Sequence, residues 1–237
     1  MLKDPEIHVR GDAILAMGES GDSRFTFLLF NYYPVALYEE QKRILLAFDS
    51  LKDPRAKCFL KKFIKEDSDI GSLARTAYNS CSSNTLFSYT FAGREDLLEY
   101  SRSREGRILV KSSSNLDENL GILEEHGWER PQTYVIDLDN NLFIGGLLDE
   151  HVDVARGKKV LAAGEINFFW IKNEWHVEYA NNRSNGYYPD SSSFLHLKNA
   201  LIEARIKYPD NKFTEVFPKY EHGYCDNEFL QFQPFYL

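Results

Sequence analysis

The chain has 237 residues, 43% of them hydrophobic and 27% charged, which excludes a disordered segment and provides for a packed core. A formal net charge of −8 excludes a broad nucleic-acid-binding surface, because neutralising phosphates takes clustered Lys and Arg. The start, Met1-Leu2-Lys3-Asp4-Pro5-Glu6, lacks the basic-then-apolar plan of a signal peptide, and the apolar run 25–30 is too short to span a bilayer. A cytoplasmic protein that does not associate with membranes is expected. Three cysteines, at 58, 81 and 225, show no paired spacing and read as free thiols.

In chain order, Ile7 to Met17 is short and apolar, punctuated by Gly11 and Gly18, and reads as a strand or an irregular segment. Phe25 to Phe30 is aromatic, short and bounded by turn residues, as a buried strand would be. From Glu39 to Leu51, apolar Ile44, Leu45, Ala47, Phe48 and Leu51 form one helical face. Asp53-Pro54 starts a further helix carrying Cys58 and Phe59, with Lys and Arg on its solvated side. Ile70 to Asn79 predicts another helix, followed by a polar turn around Cys81. A Cys nucleophile there would need a neighbouring His, which the sequence does not supply.

The segment 84–91 is a strand candidate, 94–100 a short helix, and Ile108 to Val110 is apolar ahead of a Ser-rich loop. Leu116 to His126 reads as a helix stopped by Gly127. From Pro131 the pattern turns to β. Tyr134 to Leu138 and Leu142 to Gly145 flank Asp139-Asn140-Asn141 as a hairpin, and Val160 to Ile171 and Trp175 to Ala180 flank Lys172-Asn173-Glu174 as a second. Asp190-Ser191 caps a helix running to about Lys207. The predicted fold is α+β, with an α-rich region over 1–130 packed on an antiparallel β-module over 131–237 with one flanking helix. The tail is aromatic.

Two segments concentrate chemistry. Val160-Leu161-Ala162-Ala163-Gly164-Glu165-Ile166 ends an apolar run on a carboxylate. Asn181-Asn182-Arg183-Ser184-Asn185-Gly186-Tyr187-Tyr188-Pro189 gathers amides, a guanidinium, a hydroxyl and two phenols at a strand end. Strand alternation puts Glu165 on one face with Asn167 and Phe169. Such a carboxylate is either a general base or ribose acceptor, or a structural group satisfied by backbone amides or Arg183. His151 is either a general acid or base near neutral pH or a surface histidine. Asn182, Ser184, Tyr187 and Tyr188 either bind a polar ligand or form a hydrogen-bonded turn with Gly186 at positive φ. Under either reading, the helix beginning near Ser191 offers an N-terminal anion site. No phosphate loop, dinucleotide fingerprint, zinc-protease motif or nucleophile elbow occurs.

The residues Glu150-His151-Val152, Gly157, 160–166 and 182–189 together resemble a pattern in an uncharacterised bacterial family. A looser form is similar to modules of polymorphic-toxin or effector proteins and of plant IQ-motif calmodulin-binding proteins. The likeness covers about residues 133 to 205. It implies a bacterial conflict or effector setting and gives no reaction. No IQ helix is present, so calmodulin is not implied. His222 and Cys225 are too few ligands for zinc, so no metal is expected. His8-Val9-Arg10-Gly11 loosely resembles the strand-borne Arg or His of ADP-ribosyltransferases, with Glu165 as the acidic partner.

These observations support two expectations. One is an enzyme acting on a nucleotide-type ligand, with NAD as the candidate cofactor and ADP-ribosyl transfer as the candidate reaction. Glu165 would orient or activate, His151 or Tyr187 would assist, and Asn182, Arg183, Ser184 and Tyr188 would hold the ligand. The other is a non-catalytic interaction module, a regulator or toxin-neutralising partner, using Phe229, Phe232, Phe235 and Tyr236 as its contact patch.

Overall fold

The computed structural model describes residues 2–83, 87–101, 106–119, 131–145 and 149–215. The expected Gly127 cap, His222, Cys225 and the aromatic patch at Phe229, Phe232, Phe235 and Tyr236 lie outside the described residues. The chain divides into two compact units between Phe87 and Ser88. The change of composition near residue 130 does not coincide with this break, because Tyr89 already bridges to Val160 and residues 108–110 pair with a later strand. The class is α+β.

The first unit is helical: α1 (Ile7–Glu19), α2 (Arg24–Tyr32), α3 (Tyr38–Leu51), α4 (Ala56–Leu60) and α5 (Asp69–Ser83). Two of these correct the sequence reading. The expected strand at Phe25 to Phe30 lies within α2, where Thr26, Phe27, Leu29 and Phe30 are buried. That spacing is a helical stripe. Phe30 packs at ring-centroid distances of 5.0 Å on Phe48 and 5.1 Å on Phe59, and this packing overrides the strand propensity of the aromatics. Ile7 to Met17 belongs to α1, and its glycines mark close approaches rather than breaks. A Cβ on Gly18 would stand 2.6 Å from the Ala47 Cα, so the absent side chain lets α1 and α3 meet backbone to side chain.

Two buried carboxylates tie these helices together. Glu40 accepts from the Leu37 amide at 2.7 Å, from Arg10 Nε at 2.6 Å and from the Tyr32 hydroxyl at 3.1 Å. Burial pushes its pKa up, but the Leu37 amide, Arg10 and Tyr32 outweigh burial and hold it below the usual carboxylate range. Asp53, fully buried, accepts from Thr26 Oγ1 at 2.6 Å and from Arg55 Nε at 2.9 Å. The Arg55 guanidinium also lies 4.5 Å from the centroid of the Phe27 ring. Cys81, expected in a polar turn, is buried inside α5 with its thiol donating to the Phe48 carbonyl at 3.6 Å. Burial raises its pKa, so it stays a thiol and is no nucleophile. Cys58 is disulfide-bonded and not the free thiol expected.

The second unit is built on a sheet of β1 (Ile108–Val110), β2 (Gln132–Ile136), β3 (Leu142–Ile144), β4 (Ala162–Ile171), β5 (Glu174–Asn181) and β6 (Phe213–Thr214). The strand order is β1-β3-β2-β4-β5-β6. Neighbours are antiparallel except β5 and β6, so the sheet is mixed and not wholly antiparallel as expected. Among the described residues the α-helices of this unit are α6 (Glu95–Ser101), α7 (Ser113–Glu118), α8 (His151–Ala155) and α9 (Phe194–Glu203). More than the one expected helix flanks the sheet. The Ser-rich segment read as a loop starts α7, whose Asn115 side chain accepts from the Ser112 amide at 3.0 Å.

One face of this sheet is core. Tyr134, Ile136, Ile166, Phe168 and Val177 cluster there with Leu197, Ala200 and Leu201 of α9. The opposite face carries Thr133, Val135, Ala163, Glu165, Asn167, Tyr179 and Asn181 by strand alternation. Helix α8 packs on its β2–β3 part, and the β4–β5 part is half-exposed at Glu165, Asn167 and Tyr179. Lys172 and Asn173, at φ 52° and 60°, form a two-residue hairpin turn whose twist suits the strands. Asn167 pairs with Tyr179 and Phe168 with Val177, which leaves Glu178 as the extra residue of a bulge. Among the described residues no helix is long and apolar enough to cross a membrane.

Replacing Asp53 by Ala takes from the buried Arg55 guanidinium the carboxylate that it bonds through Nε at 2.9 Å. Urea unfolding followed by far-ultraviolet circular dichroism is expected to show a loss of about 3–5 kcal/mol. A change within about 0.5 kcal/mol would show that the pair contributes little.

Candidate functional site

The open part of the sheet is organised by Asn181, a buried residue of β5 (1% exposed). Its Oδ1 accepts from the backbone N–H of Glu165 at 3.1 Å and of Arg183 at 2.9 Å. Its Nδ2 donates to Glu165 Oε2 at 2.8 Å and to the Tyr179 hydroxyl. The amide is fully used. Glu165 is thereby fixed on the half-exposed face by one oxygen, and among the described residues Oε1 has no hydrogen-bond partner. Asn167 lies two residues further along β4 on the same face, and Phe169, 36% exposed, two beyond that. The Phe169 and His176 rings lie 5.2 Å apart at 30°.

Beneath Glu165, Gly164 has no room for a side chain. A Cβ there would stand 1.9 Å from the Asn181 carbonyl oxygen and 2.9 Å from the Tyr134 ring. That ring crosses the glycine, so the buried Tyr134 hydroxyl reaches the Asn181 carbonyl at 3.0 Å. Gly-Glu is therefore one structural device: the glycine lets Tyr134 lock the Asn181 backbone, and the Asn181 side chain locks the glutamate.

His151, the first residue of α8, puts Nε2 2.9 Å from the Gly164 carbonyl. A carbonyl only accepts, so Nε2 carries the proton and Nδ1 the lone pair. Burial lowers the pKa to about 4, against a smaller upward pull from the Gly164 carbonyl. The ring is neutral near neutral pH: it has no imidazolium proton to give, and the Nδ1 lone pair is its remaining acid–base function.

The polar segment 182–189 turns mostly inward. Asn182 is buried and donates to the Pro189 carbonyl at 2.9 Å. Ser184 is buried and its Oγ accepts from the Tyr187 amide at 3.4 Å. Tyr187 is fully buried, donates to the Lys158 carbonyl at 2.7 Å, and has its pKa raised by burial. Tyr188 is buried at φ 48°. Gly186 does not take the positive φ expected of it; a Cβ there would stand 2.1 Å from the Phe91 ring. These residues hold the 89–92 segment in place: Ala92 donates to the Gly186 carbonyl at 2.7 Å, and Tyr89 donates to Asp190 Oδ1 at 2.7 Å. Of the expected ligand-holding set, only Arg183 is exposed. The helix end near Ser191 already has a carboxylate beside it, because Asp190 Oδ1 accepts from Ser192 Oγ at 2.5 Å.

Arg10 is not strand-borne. It lies in α1 of the other unit with its guanidinium on Glu40. Among the described residues no group of three or more His, Cys, Asp or Glu could hold a metal ion. No family model, curated protein or solved structure matches the chain.

Sequence reasoning placed Asn181 in the polar cluster without giving it a role, and missed Tyr179. The hairpin turn pairs Ile171 with Glu174. Continued without a bulge, that ladder sets Glu165 opposite Ala180 and turns Asn181 to the other face. The extra residue at Glu178 shifts the register by one and brings Asn181 beside Glu165. The only signal for this in the sequence is the Asn181-Asn182 pair at the strand end.

His151 also makes stability depend on pH. Its folded value of about 4 lies below the ordinary 6.5, so the unfolded chain binds the proton first as pH falls. The contribution is complete above the ordinary value and is lost as pH falls through the window toward about 4. His151→Gln is expected to flatten the stability–pH curve in that window, measured by urea unfolding at several pH values. An unchanged slope would assign the acid sensitivity to other groups.

Proposed function

We propose that the open part of the sheet binds a nucleotide-type ligand, with Glu165 accepting from ribose hydroxyls, and that it serves ADP-ribosyl transfer from NAD. The observation that carries this reading is the carboxylate held by Asn181 on a half-exposed face with one oxygen unused. Breaking the bond between nicotinamide and ribose builds positive charge on the sugar. A carboxylate hydrogen-bonded to a ribose hydroxyl stabilises that charge. The leaving nicotinamide takes the electron pair and needs no protein acid, which fits a neutral His151. The acceptor bonds to the sugar carbon and releases its proton to solvent. A bacterial conflict or effector setting is the context implied by the sequence pattern over residues 133 to 205.

A second reading, a non-catalytic interaction module, has its own observation. Phe169, Trp170 and Ile171 are consecutive and 36%, 49% and 45% exposed at the hairpin tip. Such a run on a surface is unusual unless it meets something.

Thermal melting of the full chain against a panel of nucleotides including NAD tests the first reading. A ligand at one hundred times its dissociation constant stabilises by about 2.7 kcal/mol, and Glu165→Gln is expected to abolish the shift while melting like the wild type alone. No shift with any nucleotide would overturn the nucleotide reading.

A further inference from the structure

Three polar groups on or just beyond the open part of the sheet keep hydrogen-bonding capacity unused among the described residues. They come in a fixed order. Asn167 has a free carboxamide at a half-exposed position. Glu165, two residues back along β4 on the same face, has Oε1 free. Arg183, exposed, follows two residues after Asn181, which is paired with Glu165; Asn181 Oδ1 holds its backbone N–H at 2.9 Å and leaves its guanidinium free. Tyr179 is the strand partner of Asn167 and supplies a ring at that level, with the Phe169–His176 pair beyond it. The two-residue step from Asn167 to Glu165 along β4 is about 6.6–6.8 Å, close to the spacing of successive parts of one nucleotide.

We propose that this row is a binding site for a nicotinamide 5′-mononucleotide unit, lying along β4 with its ring toward the hairpin tip and its phosphate at Arg183. The inference rests on the nucleotide reading given above and adds the orientation and identity of the ligand. Each pairing follows from the chemistry of the groups. A carboxamide donates to and accepts from another carboxamide, so Asn167 matches the amide of nicotinamide. The carboxylate of Glu165 accepts from a ribose diol. The guanidinium of Arg183 matches a phosphate in charge and in its planar fork of donors. The electron-rich face of Tyr179 suits a cationic pyridinium ring. Adenine also pairs with a carboxamide, through N6 and N7, so the positive charge of the pyridinium ring on Tyr179 is what favours nicotinamide.

Calorimetric titration of the full chain with nicotinamide mononucleotide, nicotinamide riboside and AMP tests the assignment. Asn167 and Arg183 are not core residues, and Arg183→Ala keeps the backbone N–H that Asn181 holds, so both variants are expected to melt like the wild type. Arg183→Ala is expected to weaken nicotinamide mononucleotide by about tenfold or more and leave the riboside unchanged. Asn167→Ala should weaken both nicotinamide ligands and leave AMP unchanged. Binding of nicotinamide mononucleotide that falls in Glu165→Gln yet ignores both other variants would overturn the orientation and leave the nucleotide reading standing. Tighter binding of AMP, lost in Asn167→Ala, would overturn the nicotinamide identity alone. Failure of all three ligands to bind while NAD still shifts the melt would overturn this inference alone; no shift with NAD or any other nucleotide would overturn the nucleotide reading, and this inference with it.

Discussion

The working geometry of the second unit depends on one buried amide. Asn181 lies where a polar side chain is costly unless every donor and acceptor is satisfied. It meets that condition by joining four separate groups: two backbone amides, a carboxylate and a phenol. Because the amide plane is rigid, fixing any of them constrains the others. The glutamate therefore inherits the order of the core, although it lies on the half-exposed face. Tyr134 reinforces this from the opposite side of the sheet by holding the Asn181 carbonyl across Gly164.

The same residue types behave differently in the first unit, and the difference shows why a buried carboxylate alone is not evidence of a site. Glu40 and Asp53 are more deeply buried than Glu165, and each has both oxygens occupied by Arg, hydroxyl or amide donors. They knit helices together and have nothing left to offer a ligand. Among the described residues, Glu165 keeps an oxygen in reserve on the half-exposed face. Saturation, more than burial or charge, separates structural acids from candidate functional ones.

Much of the architecture was legible in the sequence because period and turn chemistry are local. The face of α3 follows from the helical period, both hairpins from their turn residues, and the sharing of one face by Glu165, Asn167 and Phe169 from strand alternation. What was illegible is non-local. Gly18 reads as a breaker until Ala47 is seen against it, and Phe25 to Phe30 reads as a strand until Phe48 and Phe59 surround it. The bulge at Glu178 leaves no composition mark, yet it decides which face Asn181 joins. The cluster at 182–189 looked like chemistry because polarity in a sequence does not distinguish groups facing solvent from groups turned inward on backbone carbonyls. The alternative of a hydrogen-bonded turn fits Asn182, Ser184, Tyr187 and Tyr188.

The β4–β5 hairpin has a further property that follows from two residues next to its turn. Trp170 and Trp175 are register partners, with ring centroids 5.2 Å apart at 63°. Two indoles so close and so inclined couple their electronic transitions, giving the hairpin an exciton signature in circular dichroism that isolated tryptophans lack. The turn end of the β4–β5 hairpin thus has an intrinsic optical reporter, and its formation can be followed without a label.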